Sequence, residues 1–139
     1  MPRPPSAVLR AGDALQTGGI GTYYWGNFFA DPFGLVVPTE FLPLATGEPL
    51  VLELGFDPVE VHVMVWRVDQ GEVVVGEPLV DAFNWLPARS EEPVLEETPP
   101  PAHTIELRPD LPPGTYIVHV FADAAVRYAA YGFHLEVVP

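Results

Sequence analysis

The feature that most constrains this chain is the alternation of apolar residues with a period of two. It is clearest at residues 59–68, 114–123 and 128–138, which read VEVHVMVWRV, GTYIVHVFAD and YAAYGFHLEVV. Successive side chains of a β-strand point to opposite faces, so this pattern is typical of strands that pack one face against a core. No stretch of useful length has the 3.6-residue period of an amphipathic helix. The pattern therefore predicts an all-β fold.

The remaining strands are shorter, because 18 prolines and 12 glycines interrupt the chain. The number and spacing of the strands favour an immunoglobulin-like antiparallel β-sandwich of about seven to nine strands. A chain of 139 residues suits one domain spanning 1–139, with residues 1–12 forming a tail or an edge strand. The shorter strands are expected at 6–10, 13–17, 20–25, 28–30, 49–56, 72–80 and 103–108, and a short turn near 39–42 or 81–86.

Two connections have features of their own. Residues 87–102, PARSEEPVLEETPPPA, are acidic, rich in proline and without period, which indicates a mobile loop between strands. The segment DLPPGTY ends at Tyr116, where the penultimate long strand begins. A tyrosine at that place in a sandwich often bonds back to the preceding loop, in the arrangement called a tyrosine corner.

The charge of the chain excludes several functions. The formal net charge is −13, all six basic residues are arginine, and lysine is absent. Such a surface repels phosphate, so no nucleic-acid partner is expected. The serines Ser6 and Ser90 lack the Gly-x-Ser-x-Gly context of a nucleophile, and the acidic pairs are typical of a solvated run. We therefore predict no catalytic residue and no cofactor.

The stretch GTYYWGNFFADPFG, residues 21–34, contains six aromatic residues in fourteen positions. Gly26-Asn27 suits a two-residue hairpin turn of type II′. Because facing pairs alternate between the two sides of a hairpin, both sides would carry aromatic rings and need a cover or a partner. A place in the core is the favoured interpretation, and a sugar-stacking platform of Trp25, Tyr23 and Phe28 is the alternative. Counting outward from the turn gives the pairs Trp25–Phe28, Tyr24–Phe29 and Tyr23–Ala30.

The same stretch resembles the GSYCW or GTYCW motif of an uncharacterised immunoglobulin-like domain of bacterial surface lipoproteins and other exported proteins. The resemblance extends over nearly the full length. It implies an immunoglobulin-like fold and an extracytoplasmic or envelope setting, with the export segment absent from this sequence and a cytoplasmic location as the alternative. It implies no catalytic residues. The matching residues are Gly21 to Trp25, Ala30-Asp31, Pro38, Phe56-Asp57-Pro58, Val61 to Trp66, Pro113 to Tyr116 and Tyr131-Gly132-Phe133.

The chain departs from that motif at one informative place. Relatives often have a cysteine where Tyr24 stands and a second cysteine near Phe29, whereas this chain has no cysteine. The hairpin count places Tyr24 opposite Phe29, and directly opposed strand residues are close enough for a disulfide. The hypothesis is that an aromatic pair replaces a disulfide here. Tyr23, Tyr24, Trp25, Phe28, Phe29 and Tyr116 would then form a structural motif.

Three histidines lie in the three longest predicted strands, which would be neighbours in one sheet of the sandwich. His62, His119 and His134 would share the outer face of that sheet, because the residues alternating with them are apolar and point inward. Imidazoles bind zinc well, so these three residues are metal candidates. The outer face would also carry four apolar residues, Met64, Trp66, Ile117 and Phe121. The inward residues would be Val61, Val63, Val65, Tyr116, Val118, Val120, Tyr131, Phe133 and Leu135.

These residues support three functions, which the sequence leaves open. The favoured one is a non-catalytic, extracytoplasmic binding or interaction module whose apolar outer face meets another protein. The second is a metal-binding protein or metal-dependent enzyme that uses the three histidines. The third is a structural accessory domain of an envelope protein, with the outer face covered by residues 87–102. No apolar run is long enough to cross a membrane, and the composition is typical of a thermophile.

Overall fold

The computed structural model describes residues 3–32, 34–74 and 81–139. They form strands joined by short turns, one 3-10 turn at Val68–Gln70 and no α-helix. The fourteen strands within these ranges are β1 (Ala7–Ala11), β2 (Ala14–Thr17), β3 (Gly19–Trp25), β4 (Phe28–Ala30), β5 (Leu35–Pro38), β6 (Leu42–Ala45), β7 (Leu50–Leu54), β8 (Glu60–Arg67), β9 (Gly71–Val73), β10 (Ala82–Pro87), β11 (Leu95–Glu97), β12 (Thr104–Leu107), β13 (Gly114–Asp123) and β14 (Tyr128–Val138).

The strands make three sheets. The first has the order β12-β7-β1-β2 and the second the order β11-β8-β13-β14-β3-β4, with β6 added parallel to β14. The third, β5-β10-β9, is small. In an immunoglobulin-like sandwich the first, second and fifth strands oppose the third, sixth and seventh. Here β1, β7 and β12 oppose β8, β13 and β14 in the same way, which confirms the predicted all-β sandwich.

The core lies between the first two sheets. All nine residues that the alternation assigned to the inward side belong to it, from Val61 on β8 to Leu135 on β14. The first sheet contributes every second residue of its own strands, among them Leu9 and Leu52, which are fully buried. This interlocking of two alternating faces is what the period-two pattern predicts.

The sequence underestimated the number of strands. The turn expected near 39–42 or 81–86 is wrong for the second range, where β10 forms, and β6 begins at Leu42. The strands β5, β6, β10 and β11 were not predicted, because each is only three to six residues long and three of them contain a proline. Pairing with neighbours, not local pattern, makes them strands. Of the predicted strand 72–80, β9 covers the start, and residues 75–80 lie outside the described ranges.

Two further expectations need correction. Residues 7–11 are neither tail nor edge, since β1 lies between β7 and β2. Residues 87–102 are predicted to be a mobile loop between strands, but β11 forms within them at Leu95–Glu97 and pairs with β8. The same segment is held at Gln70, whose Nε2 donates to Glu91 Oε2 at 3.1 Å and to the carbonyl oxygen of Glu92 at 3.0 Å.

The predicted tyrosine corner is present. The hydroxyl of Tyr116, at the start of β13, donates to the carbonyl oxygen of Pro112 at 2.6 Å. A second tyrosine makes a similar bond to the N-terminal segment. The Tyr131 hydroxyl donates to the carbonyl oxygen of Pro5 at 2.7 Å. Both bonds tie an irregular segment to a buried strand.

A pair of glycines allows the third sheet to pack closely against the second. Gly19 of β3 and Gly132 of β14 are directly opposed in the ladder. The backbone carbonyl of Val36, on β5, lies so close to both that a Cβ at either position would collide with it. Only a residue without a side chain permits this approach. The glycine-rich entry to β3 is therefore a packing requirement of the third sheet.

We expect Gly132→Ala to destabilise the fold by about 1–3 kcal/mol, because the added methyl group forces β5 away from the second sheet. Gly21→Ala is the matched control. A Cβ on Gly21 would meet its nearest atom, the Ala130 carbonyl oxygen, at 3.5 Å, which is ordinary contact. Urea unfolding of both variants measures the difference. Equal free energies of unfolding for the two variants would contradict the role given to Gly132.

We expect Tyr116→Phe to lower the free energy of unfolding by about 0.5–1.5 kcal/mol, since it removes the hydroxyl bond to Pro112 and little else. The control is Tyr24→Phe, whose hydroxyl lies at the surface, 3.4 Å from Asn27 Oδ1. Chemical denaturation checks both variants. If Tyr24→Phe lowers the free energy of unfolding as much as Tyr116→Phe does, the tyrosine corner is not a stabilising contact.

Candidate functional site

The β3–β4 hairpin has the predicted register but a different turn. The pairs Tyr23–Ala30, Tyr24–Phe29 and Trp25–Phe28 all form. The φ angles of Gly26 and Asn27 are both positive, at 58° and 68°. Two positive φ angles define a type I′ turn, so the predicted type II′ turn is wrong. Asparagine tolerates this backbone region better than most residues, which accounts for Asn27 at the second position.

The aromatic motif is divided between the two faces of the hairpin. Tyr23 and Trp25 point into the core and are 8 % and 9 % exposed. Tyr24 and Phe29 point to the other face and are 37 % and 60 % exposed, whereas Phe28, which pairs with Trp25, is 41 % exposed. The proposed sugar platform of Trp25, Tyr23 and Phe28 therefore does not form, because two of its three rings are buried. Tyr24 stands opposite Phe29, the register that the disulfide-replacement hypothesis needs, and that hypothesis stays a prediction.

The three histidines share the outer face of the second sheet but have separate environments. His62 Nε2 lies 3.1 Å from Glu96 Oε1, and the His119 ring stacks on Trp66 with centroids 6.3 Å apart. His134 is buried, with Nδ1 3.0 Å from the Pro38 carbonyl oxygen. Within the described ranges no three His, Cys, Asp or Glu side chains form a group that could hold a metal ion. The structure therefore does not bring the three metal candidates together.

A buried glutamine beside His134 is a feature that sequence reasoning missed. Gln16 Oε1 accepts from the backbone N–H of His134 at 2.8 Å, and Gln16 Nε2 donates to the His134 carbonyl oxygen at 3.0 Å. Its Nε2 also donates to the Glu40 carbonyl oxygen at 2.7 Å. The side-chain amide of Gln16 thus bonds both backbone groups of His134, as the backbone of a neighbouring strand would. A single glutamine in a four-residue strand gives no sequence signal for this role.

The environments of two histidines shift their acidity. Burial and, to a smaller extent, the nearby His62 together lower the pKa of His119 to about 4. Burial also lowers the pKa of His134, although hydrogen bonds to the Pro38 and Thr39 carbonyls and the charge of Glu136 raise it. Both imidazoles are therefore neutral at pH 7. Since Nδ1 of His134 faces carbonyl oxygens, which only accept, that nitrogen carries the proton.

The pKa of His119 predicts a loss of stability in acid. The unfolded state binds the proton near pH 6.5 and the folded state only near pH 4, so stability falls as the pH drops through this window. We expect His119→Gln to reduce the loss between pH 7 and pH 4.5 by roughly 2–3 kcal/mol. His103→Gln, at a side chain that is 68 % exposed, is the control. Urea unfolding at a series of pH values measures the free energy of unfolding of each protein. Parallel plots of this free energy against pH for native protein and His119→Gln would refute the prediction.

The apolar outer face that was predicted as an interaction surface is largely covered. Ile117 is fully buried and Trp66 is 6 % exposed. They pack with Val37 of β5 and Trp85 of β10, and the two tryptophan rings lie 5.9 Å apart. Met64 is partly buried against the same cluster. Among the residues that the structure describes, the cover is the third sheet and not residues 87–102, and it leaves the Phe121 end of the face open.

The open end of the outer face carries a row of aromatic rings. Tyr128 and Tyr24 are neighbours across β14 and β3, and Phe29 follows Tyr24 on β4. The Tyr24 and Tyr128 rings are 6.3 Å apart and 24° from parallel. Phe121 of β13 adds a fourth ring, 5.5 Å from Tyr128 and 34° from parallel. We call Phe29, Tyr24, Tyr128 and Phe121 the aromatic row.

Carboxylates lie at the β8 end of this row. Asp123 is the partner of Tyr128 on β13, and Glu60 is the partner of Asp123 on β8. Glu60 is exposed, and Asp123 Oδ1 accepts the N–H of Ala125 at 2.9 Å. Arg127, next to Tyr128 in sequence, lies over the Trp25 ring at 5.4 Å and so on the core side of the hairpin. The aromatic row therefore has an acidic end, and Arg127 is engaged on the opposite side.

Comparison with protein-family models and with curated proteins found no match. In the part of the chain that the structure describes, no helix has both the length and the hydropathy needed to cross a bilayer.

Proposed function

We propose that this protein is a non-catalytic binding module and that the aromatic row is its binding surface. One observation carries the proposal. The third sheet covers most of the apolar outer face, yet the row at the uncovered end remains accessible, with Phe29 60 % and Tyr24 37 % exposed. Contiguous apolar surface of this kind on a folded domain marks interaction sites. Four adjacent rings on four neighbouring strands are more than the scattered apolar side chains of an ordinary surface.

The chemistry of the row suits recognition. Tyrosine has a large apolar ring and a polar hydroxyl, and it loses little side-chain entropy on binding because it has two side-chain torsions. Three of the four rings lie on β3, β13 and β14, which are each paired on both sides in the second sheet, and Phe29 lies on the edge strand β4. A surface built on strands needs little ordering when a ligand binds, which favours affinity.

The setting of the module is part of the same proposal. The residues Gly21 to Trp25 resemble a motif of exported bacterial domains, and this resemblance supports an extracytoplasmic location. Tyr24 stands at the motif position that relatives often fill with cysteine, and it is also the second ring of the row. The same substitution would thus remove a disulfide and add a contact ring.

The experiment is a binding screen in which native protein meets immobilised basic peptide, acidic peptide and neutral polysaccharide. We expect the double variant Tyr24→Ala/Phe29→Ala to weaken binding to the retained ligand roughly tenfold or more, because exposed aromatic anchors dominate such contacts. Phe41→Ala is the matched control, since Phe41 is 49 % exposed but its ring contacts His134, with centroids 4.2 Å apart, away from the row. Surface plasmon resonance measures the dissociation constants.

Two results would overturn the proposal. One is the absence of binding to every ligand of the screen. The other is binding that survives the double variant unchanged. Thermal unfolding of the variants shows that they are folded, as expected for substitutions at exposed positions.

A further inference from the structure

We infer that the ligand of the aromatic row is a cationic, extended segment of polypeptide that carries arginine or lysine. The inference rests on the proposed function, because it names the ligand class of the same surface. Its basis is that two carboxylates and three aromatic rings follow one another without a gap across five strands. One cross-strand line runs Glu60, Asp123, Tyr128, Tyr24, Phe29.

The rings and the carboxylates attract the same kind of group. An ammonium or guanidinium group is drawn to the face of a tyrosine or phenylalanine ring, and arginine also stacks flat on it. The protein already contains one such contact, Arg127 over Trp25 at 5.4 Å. Glu60 and Asp123 would pair with a second cation on the same ligand. An anionic ligand would meet two carboxylates and is disfavoured.

The charge of the whole protein also favours a cationic ligand. The net charge is −13 and there is no lysine, so the field at long range attracts cations. Near the row, His62 faces Glu96 at 3.1 Å, which adds a third carboxylate to this side of the sheet. Electrostatic attraction of this type raises the association rate and depends on salt.

The spacing of the strands sets the spacing of the two cations. Tyr24 on β3 and Glu60 on β8 are separated by three strand steps, which is about 14 Å at the usual strand separation. An extended peptide covers about 13 Å in four residues, and side chains four residues apart point to the same side. Two basic residues at positions i and i+4 therefore fit, one over Tyr24 and one beside Glu60.

A basic polypeptide is favoured over a neutral sugar chain by the charge of this surface. The hydroxyls of a neutral sugar can donate to Glu60 and Asp123, and its rings can stack on Tyr24, but an uncharged chain gains nothing from the long-range field of a protein with a net charge of −13. Arginine and lysine side chains use the rings, the carboxylates and the field together.

The test uses the purified chain and a short synthetic peptide of glycine and serine with two arginines at positions i and i+4. Reference ligands are a peptide with glutamine in place of both arginines, a peptide with the arginines adjacent, and a soluble neutral glucan. Isothermal titration at several salt concentrations gives the affinities. The variants are Tyr24→Ala, Glu60→Gln and Asp123→Asn, which retains the oxygen that accepts from Ala125. The control is Asp110→Asn, an exposed carboxylate beyond the opposite end of β13.

We expect the i and i+4 peptide to bind more tightly than both peptide references, and its affinity to fall as salt rises. Tyr24→Ala should weaken it roughly threefold to tenfold, as for one cation–π contact. Glu60→Gln and Asp123→Asn should each reduce the salt dependence, whereas Asp110→Asn should not. Equal affinity for the glutamine peptide, or unchanged salt dependence in both carboxylate variants, would overturn the inference.

The remaining outcomes separate this inference from the proposed function. Binding to the glucan alone, lost in Tyr24→Ala, would overturn the cationic ligand and leave the aromatic row as a binding surface. Absence of binding to every peptide and to the glucan would count against both. Because each substituted side chain is exposed or keeps its hydrogen-bond acceptor, the variants are expected to fold, and their unfolding curves show this directly.

Discussion

The rest of this structure depends on one constraint, which is that the central strands β8, β13 and β14 are apolar on both faces. Ile117 and Val118 are neighbours on β13, they point in opposite directions, and both are buried. Removing such a side chain from water contributes about 1.5–3 kcal/mol, so neither face is left open without a large cost. The first sheet covers one face, as in any sandwich. The third sheet covers most of the other face and makes a third layer there.

The third layer in turn requires close contact of backbones. The carbonyl of Val36 can lie over β3 and β14 only because Gly19 and Gly132 stand side by side in the ladder. Beyond those glycines, Trp66 and Trp85 fill the space between the layers. The cover ends before Phe121, and the aromatic row begins there. The extent of the third sheet thus decides which apolar residues are core and which are surface.

The electrostatics of the open end follow from the same ladder. Strand pairing fixes Glu60, Asp123 and Tyr128 in one line, because residues in register across antiparallel strands share a face. The neutral state of His119, with its pKa near 4, also follows from its position in the ladder, where it is buried against the Trp66 ring. Histidines that looked equivalent in sequence therefore differ, since one faces a carboxylate, one faces a tryptophan and one faces backbone carbonyls.

Local sequence determined the long strands, the inward residues, the register of the aromatic hairpin and the bond of Tyr116 to its preceding loop. These follow from period-two alternation and turn chemistry, which act between residues close in the chain. Only the tertiary structure decided that β5 and β10 are strands, that they cover Ile117 and Trp66, and that Gln16 serves as a partner for His134. Each of these depends on contacts between residues far apart in sequence. A four-residue segment that contains a proline is too short to show a periodicity from which such contacts could be predicted. The aromatic row is divided in the same way: the sequence placed Tyr24 opposite Phe29, and the fold decided that Tyr128 and Phe121 continue the row and that the third sheet stops short of it.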